Sequence, residues 1–207
     1  MGSSVAASTR TRVICLDLEG VLVPEIWIAV AEKTRISDLK RTTRDEPDYD
    51  KLMRFRIGIL KKAGIRLADI QKVIASMGPL PGAAKFVSGV RAKFQLIILS
   101  DTFGQFAAPL MKQLGWPTIF CNSLEVDESG FIVRHVMRQT NGKEHAVRAL
   151  QKLNFAVHAA GDSFNDLTMI QAADKGVFFC PPASIASRFP KIPVCRTYAQ
   201  LAKAIVS

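Results

Sequence analysis

The sequence predicts an α/β protein: a doubly wound parallel sheet with a small helical cap inserted after the first strand. Short runs of four or five mostly apolar residues recur along the chain, as strands buried on both faces require. From about Pro81 onward these runs alternate regularly with helical stretches, the pattern of a parallel sheet carrying helices on both faces. Between the first run and the second lies a long stretch of purely helical periodicity.

The first strand is Val13-Ile14-Cys15-Leu16, which ends at Asp17. Three helical segments follow. Ile26, Trp27, Val30 and Ala31 form one stripe. Leu52, Met53, Phe55, Ile57, Ile59 and Leu60 mark a second helix, closed by Gly64. Ile70, Val73, Ile74 and Met77 mark a third, stopped by Gly78-Pro79. This divides the chain into a core (12–23 and 79–207) and a helical cap (24–78). In the core, a helix through Phe86, Val87 and Val90 leads to the strand Gln95-Leu96-Ile97-Ile98-Leu99, and one through Phe106, Leu110 and Leu114 to Thr118-Ile119-Phe120-Cys121. Asp127-Glu128-Ser129-Gly130 is the turn of a hairpin. A helix from about Lys143 to Leu153 precedes the strand Phe155-Ala156-Val157-His158-Ala159, and Gly176-Val177-Phe178-Phe179 is a further strand.

The 207 residues suit one substantial domain with a smaller insert. No apolar run is long enough to span a bilayer, so no membrane association is expected. Residues 1–11, small, polar and basic, lack the apolar middle of a secretory signal and read as a disordered leader; a cytoplasmic location is the expectation. The four cysteines are widely spaced without a zinc pattern, three of them in strand-like runs that suit buried, reduced thiols. Between Lys33 and Lys72 lie 12 basic and 6 acidic residues, a large part of the net charge of +10. That surplus fits a solvated helical surface, a positive field for a small anion, or nucleic-acid binding. The scarcity of aromatics for base stacking there argues against the last.

The chemistry lies at the strand ends, where ligands of such sheets bind. The first strand ends in Asp17-Leu18-Glu19-Gly20, a second in Ser100-Asp101-Thr102, and a third in Gly161-Asp162-Ser163-Phe164-Asn165-Asp166. Carboxylates gathered from separate strands repel unless a cation joins them, and hard oxygen donors suit Mg²⁺. Lys143 adds a positive charge able to face a phosphate. Asp17 and Glu19, two apart in extended chain, point the same way. One can attack phosphorus while the other moves the proton of the leaving group.

In these stretches the chain resembles the haloacid dehalogenase superfamily of phosphatases and phosphotransferases. Its four motifs occur in order: Val13 to Val21 around Asp17, Ile97-Ile98-Leu99-Ser100, Lys143, and Gly161 to Asp166. From about Arg12 onward the chain is most similar to the bacterial bifunctional phosphoserine phosphatase/phosphoserine:homoserine phosphotransferase subgroup. Cys15 to Trp27, Pro47-Asp48-Tyr49-Asp50 and Ile98 to Phe103 carry that similarity. The resemblance implies Asp17 as nucleophile and Glu19 as general acid/base. It implies Mg²⁺ bound by the Asp17 carboxylate, the Glu19 backbone carbonyl and Asp162. It also implies a phosphate site of Ser100, Lys143 and Asp101, with Asp166 supporting the metal site and the lysine and Asn165 a further supporting residue. Glu25 and Arg56 grip the amino and carboxylate groups of phosphoserine, with homoserine as a second acceptor. Two positions depart from the common pattern: Glu19 replaces the usual aspartate, and Asp101-Thr102 follow Ser100 where small glycines are usual. The other readings are a phosphatase for a sugar or nucleotide phosphate, and a nucleic-acid-binding or regulatory module on a phosphatase fold.

Overall fold

The structure, a computed structural model, describes residues 10–42, 45–46 and 48–206. Most of the expected leader lies outside these residues. Its last two positions are tied to the sheet: Arg10 pairs with Asp174, and the Thr11 carbonyl accepts from Ala156 N at 2.9 Å.

The strands are β1 (Arg12–Leu16), β2 (Gln95–Phe103), β3 (Thr118–Val126), β4 (Ile132–Val136), β5 (Ala156–Gly161), β6 (Lys175–Phe179) and β7 (Val194–Cys195). They form one sheet in the order β4-β3-β2-β1-β5-β6-β7, parallel except for β4 at the edge, which forms the expected hairpin with β3. Strand β1 is central, flanked by β2 and β5. Its residues alternate between two cores. Ile14 and Leu16 join one cluster, and Val13 and Cys15 join the other. This is why the whole run must be apolar.

The helices are α1 (Ile26–Thr34), α2 (Tyr49–Lys62), α3 (Leu67–Ala75), α4 (Ala83–Arg91), α5 (Gly104–Gln113), α6 (Gly142–Lys152), α7 (Leu167–Ala172), α8 (Ala183–Arg188) and α9 (Tyr198–Val206). The three after β1 are those expected, joined by a 3-10 turn at Ser37–Lys40. Helix α2 begins where the Asp48 side chain accepts from Lys51 N, and Gly64, just beyond it, takes φ +69°. Its buried face is Leu52, Met53, Arg56, Ile57 and Leu60, so an arginine sits among the apolar residues; Phe55 and Ile59 are only half-buried. The chain leaves and re-enters the sheet region at a single gate, where Leu80 N donates to the Leu22 carbonyl at 2.9 Å. These helices share the larger apolar cluster with the sheet, and the Trp27 ring meets Phe106 edge-on at 5.5 Å.

Strand β2 runs four residues further than its apolar run suggests. Its register with β3 shifts between Leu99 and Phe103, so Ser100, Asp101 and Thr102 occupy an irregular stretch of strand rather than the loop beyond it. The elements after β6 go beyond those expected: β7 is two residues long, and α9 is held by side chains distant in sequence. Tyr198 stacks between Phe86 and Phe179 and donates to the Val21 carbonyl at 2.6 Å. All four cysteines are free; Cys15 and Cys195 are buried, whereas Cys180 is exposed. Among the described residues, no helix is long and apolar enough to cross a membrane.

Candidate active site

The ends of β1, β2 and β5 and the first turn of α6 meet at one point. Asp17 continues β1, its backbone N–H bound to the Ala160 carbonyl at 3.0 Å. Lys143, in the first turn of α6, is buried, and its ammonium lies 2.9 Å from Asp17 Oδ1 and 2.7 Å from Asp166 Oδ1. Asp166 is fully buried, and its second oxygen accepts from Asp162 N, Ser163 N and Ser163 Oγ at 3.0, 3.0 and 3.2 Å. Both its oxygens are thus engaged. Asp17 Oδ2 and the Asp162 carboxylate take no hydrogen bond from another described residue, and they are the oxygens left to hold a cation.

Two glycines permit this approach. At Gly20, where φ is +75°, a Cβ would stand 2.4 Å from Asp162 Oδ2. At Gly161 a Cβ would stand 2.3 Å from Asp166 Cβ. Any side chain at either position displaces an active-site carboxylate.

Carboxylate oxygens of Asp17, Asp162 and Asp166 lie within 4.8 Å of one another. With Lys143 counted, the buried group retains two negative charges. The cost shows in the titration of each member. Burial and the Asp166 charge push the Asp17 carboxyl well above the usual carboxylate range, against the pull of Lys143. Burial, Asp166 and Glu25 push Asp162 up to about 7. Burial acts to lower the Lys143 pKa, but Asp166, Asp17 and Asp101 hold the ammonium well above its ordinary value. A set of hard oxygens short of two positive charges fits a divalent cation such as Mg²⁺.

Glu19 stands outside that cluster. Its Oε2 accepts from Ile26 N at 2.8 Å, the first residue of α1. Burial and the neighbouring Glu25 carboxylate, with which it shares a hydrogen bond, push Glu19 up to about 7, while the Ile26 N–H opposes them. Ser100 is buried; its Oγ accepts from Thr102 N at 3.2 Å, which leaves the hydroxyl proton to donate elsewhere. The Asp101 carboxylate lies 3.5 Å from Lys143.

Arg56 and Glu25 come from the helical insert. Glu25 precedes α1, exposed and making no capping bond. Arg56 is 5% exposed, stacked 4.5 Å from the Trp27 ring, and donates to the Arg41 carbonyl. Its Nε is buried without a hydrogen-bond partner. Burial lowers the Arg56 pKa to about 10, against the charges of Tyr49, Glu19 and Glu25. Asn165 is exposed on the turn that carries Asp166 and does not join the cluster. Residue-by-residue reading passes over two others. The Tyr49 hydroxyl, at 3.3 Å, and Asn122 Nδ2, at 3.0 Å, both donate to the Asp101 carbonyl. Asn122 sits in an ordinary strand run and carries no signal; Tyr49 lies in the stretch Pro47 to Asp50, whose first residue is outside the described ones.

Residues 11–174 match the haloacid dehalogenase-like hydrolase family. Phosphoserine phosphatase ThrH of Pseudomonas aeruginosa is 52% identical over 190 residues, covering 92% of this chain and 93% of the relative. A phosphoserine phosphatase of Pseudomonas syringae pv. tomato is 50% identical over 195 residues, covering 94% of this chain and 82% of the relative. Among solved structures, a phospho-aspartyl intermediate analogue of phosphoserine phosphatase superposes with a TM-score of 0.78 at 19% identity, covering 95% of this chain and 100% of the other. That likeness shows a shared fold.

The charge imbalance generates a thermal-shift prediction. Saturating Mg²⁺ raises the melting temperature of the wild-type protein by about 5–10 °C, the scale expected for a ligand well above its Kd in a chain of this size. Asp162→Asn removes one repelling charge and one ligand together. It melts a few degrees (~2–4 °C) above wild type in EDTA and responds little to Mg²⁺. An undiminished Mg²⁺ shift in this variant shows that the ion binds elsewhere.

Proposed function

The chain belongs to the haloacid dehalogenase-like hydrolase family, and from that premise we propose that it hydrolyses phosphoserine through an acyl phosphate formed on Asp17. The observation that carries the substrate assignment is Arg56. A guanidinium buried on the apolar face of a helix, with one N–H unmatched, is costly unless an anion completes it. Glu25 and Glu19 lie within electrostatic range of it. An α-amino acid offers the matching pair, a carboxylate for Arg56 and an ammonium for Glu25. A sugar or nucleotide phosphate offers neither in that form.

In this reading the Asp17 carboxylate attacks phosphorus while Ser100 and Lys143 hold phosphoryl oxygens. The P–O bond to serine breaks as Glu19 delivers its proton to the departing serine oxygen. Glu19, now a carboxylate, takes a proton from water, whose oxygen attacks phosphorus and releases Asp17 and inorganic phosphate. A pKa near 7 suits a group that must both give and take a proton. Lys143 favours the ionised form of Asp17 and aims it, and Asp166 keeps Lys143 in place. Asp17, Asp162 and the Glu19 backbone carbonyl would hold Mg²⁺, whose charge would screen the repulsion between the attacking carboxylate and the phosphoryl group. The inserted helices, as a cap, exclude bulk water from this exchange.

The phosphoryl group also passes to homoserine. An alcohol that satisfies Arg56 and Glu25 competes with water for the acyl phosphate on Asp17, and Glu19 deprotonates its hydroxyl as it would water. One extra methylene costs about 1–3 kcal/mol in an apolar pocket, which millimolar homoserine offsets.

Two measurements test this reading. Arg56→Ala raises KM for phosphoserine roughly 10- to 100-fold, the loss of a charge-assisted bond, while activity on an aryl phosphate, which has no carboxylate, changes little. Equal losses on both substrates place Arg56 in the fold or the phosphate site. Purified protein given phosphoserine, Mg²⁺ and excess homoserine yields O-phosphohomoserine by mass spectrometry, with less free phosphate per phosphoserine consumed. Serine and phosphate alone, at saturating homoserine, limit the activity to hydrolysis.

A further inference from the structure

Asp101 is an anomaly at a phosphate site. A carboxylate cannot donate a hydrogen bond to a phosphate, yet this one lies 3.5 Å from Lys143, one of the two groups expected to hold the phosphoryl oxygens. It is not needed there for Lys143, which already has shorter contacts with Asp166 and Asp17 at 2.7 and 2.9 Å. Nor can it readily move away with its backbone. The Asp101 carbonyl is held by the Tyr49 hydroxyl from α2 and by Asn122 Nδ2 from β3, and Asn122 is itself fixed by Arg138 N at 3.0 Å. The side chain is 41% exposed and takes no hydrogen bond from a described residue.

Tyr49 ties this stretch of strand to the helical insert: its hydroxyl lies 3.3 Å from the Asp101 carbonyl, and Arg56 stands about two turns further along the same face of α2, while Lys143 lies 3.5 Å from the Asp101 carboxylate. A phosphorylated amino acid bridging Lys143 and Arg56 passes Tyr49 and Asp101 on the way. We propose that Asp101 is a specificity-determining residue that selects phosphomonoesters carrying an ammonium group. It attracts that group, and it repels a phosphate that arrives without one. Glu25 reads the ammonium from the helical insert and Asp101 reads it from the sheet. This inference rests on the phosphoserine reading and adds to it the means of excluding phosphorylated hydroxy acids, which present the same carboxylate and phosphate.

The test compares kcat/KM for phosphoserine and for glycerate 3-phosphate, which differs by a hydroxyl in place of the ammonium, in wild type, Asp101→Asn and Asp101→Glu. Wild type prefers phosphoserine. Asp101→Asn lowers that preference roughly 10- to 100-fold, the range for a hydrogen bond to a charged group, with activity on glycerate 3-phosphate rising as activity on phosphoserine falls. Asp101→Glu, which keeps the charge, retains most of the preference. Parallel changes on the two substrates in Asp101→Asn, or a wild type indifferent to the ammonium, overturn the assignment of Asp101. A wild type that turns over neither substrate overturns the phosphoserine reading and this inference with it.

Discussion

The Lys143 ammonium, buried between Asp17 and Asp166, is the contact on which the rest of the site depends. A buried ion pair gains little over apolar packing, but removing one partner strands the other at high cost. The three elements that supply these residues are thereby locked in register: the end of β1, the start of α6 and the turn after β5. Asp166 extends the lock by receiving the N–H groups of Asp162 and Ser163, which fixes the backbone from which the Asp162 carboxylate projects. Gly20 and Gly161 provide the clearance that such close carboxylates demand.

The second constraint couples the helical insert to the sheet. Arg56 and Tyr49 lie seven residues apart on α2, close to two full turns, and so share a face. The Tyr49 hydroxyl rests on the Asp101 carbonyl beside Ser100. The distance between the group that would read a substrate carboxylate and the groups that would hold its phosphate is therefore set by one helix and one hydrogen bond. The β3–β4 hairpin braces the same helices: Leu67 N donates to the Gly130 carbonyl at 2.9 Å, and Tyr49 packs edge-on against His135.

Much of this was legible in the sequence because parallel strands buried on both faces leave continuous apolar runs, and their ends are marked by polar residues. The strand ends mark Asp17, Ser100 and the stretch from Gly161 to Asp166, and Lys143 stands out at the start of a helix; the role of Asp166 rests on the family resemblance. What could not be read depends on contacts between distant segments. The end of β2 was set too early because Ser100, Asp101 and Thr102 are polar, yet they remain in the strand through a register shift against β3. Helix α9 is held by Tyr198, Phe86, Phe179 and the His158–Ile205 contact at 2.6 Å, which join segments far apart in sequence. Arg56 broke the apolar stripe of α2, and its depth was invisible without the Trp27 ring beneath it.

The central claim is that Asp17, held by Lys143, takes the phosphoryl group. Its most direct test is to mix the protein with Mg²⁺ and phosphoserine carrying labelled phosphate, quench in acid within milliseconds, and map the label by peptide digestion. The account predicts label on the peptide containing Asp17, released by hydroxylamine or alkali as an acyl phosphate is. Label on a serine or histidine, or full turnover with none trapped at any quench time, would contradict it.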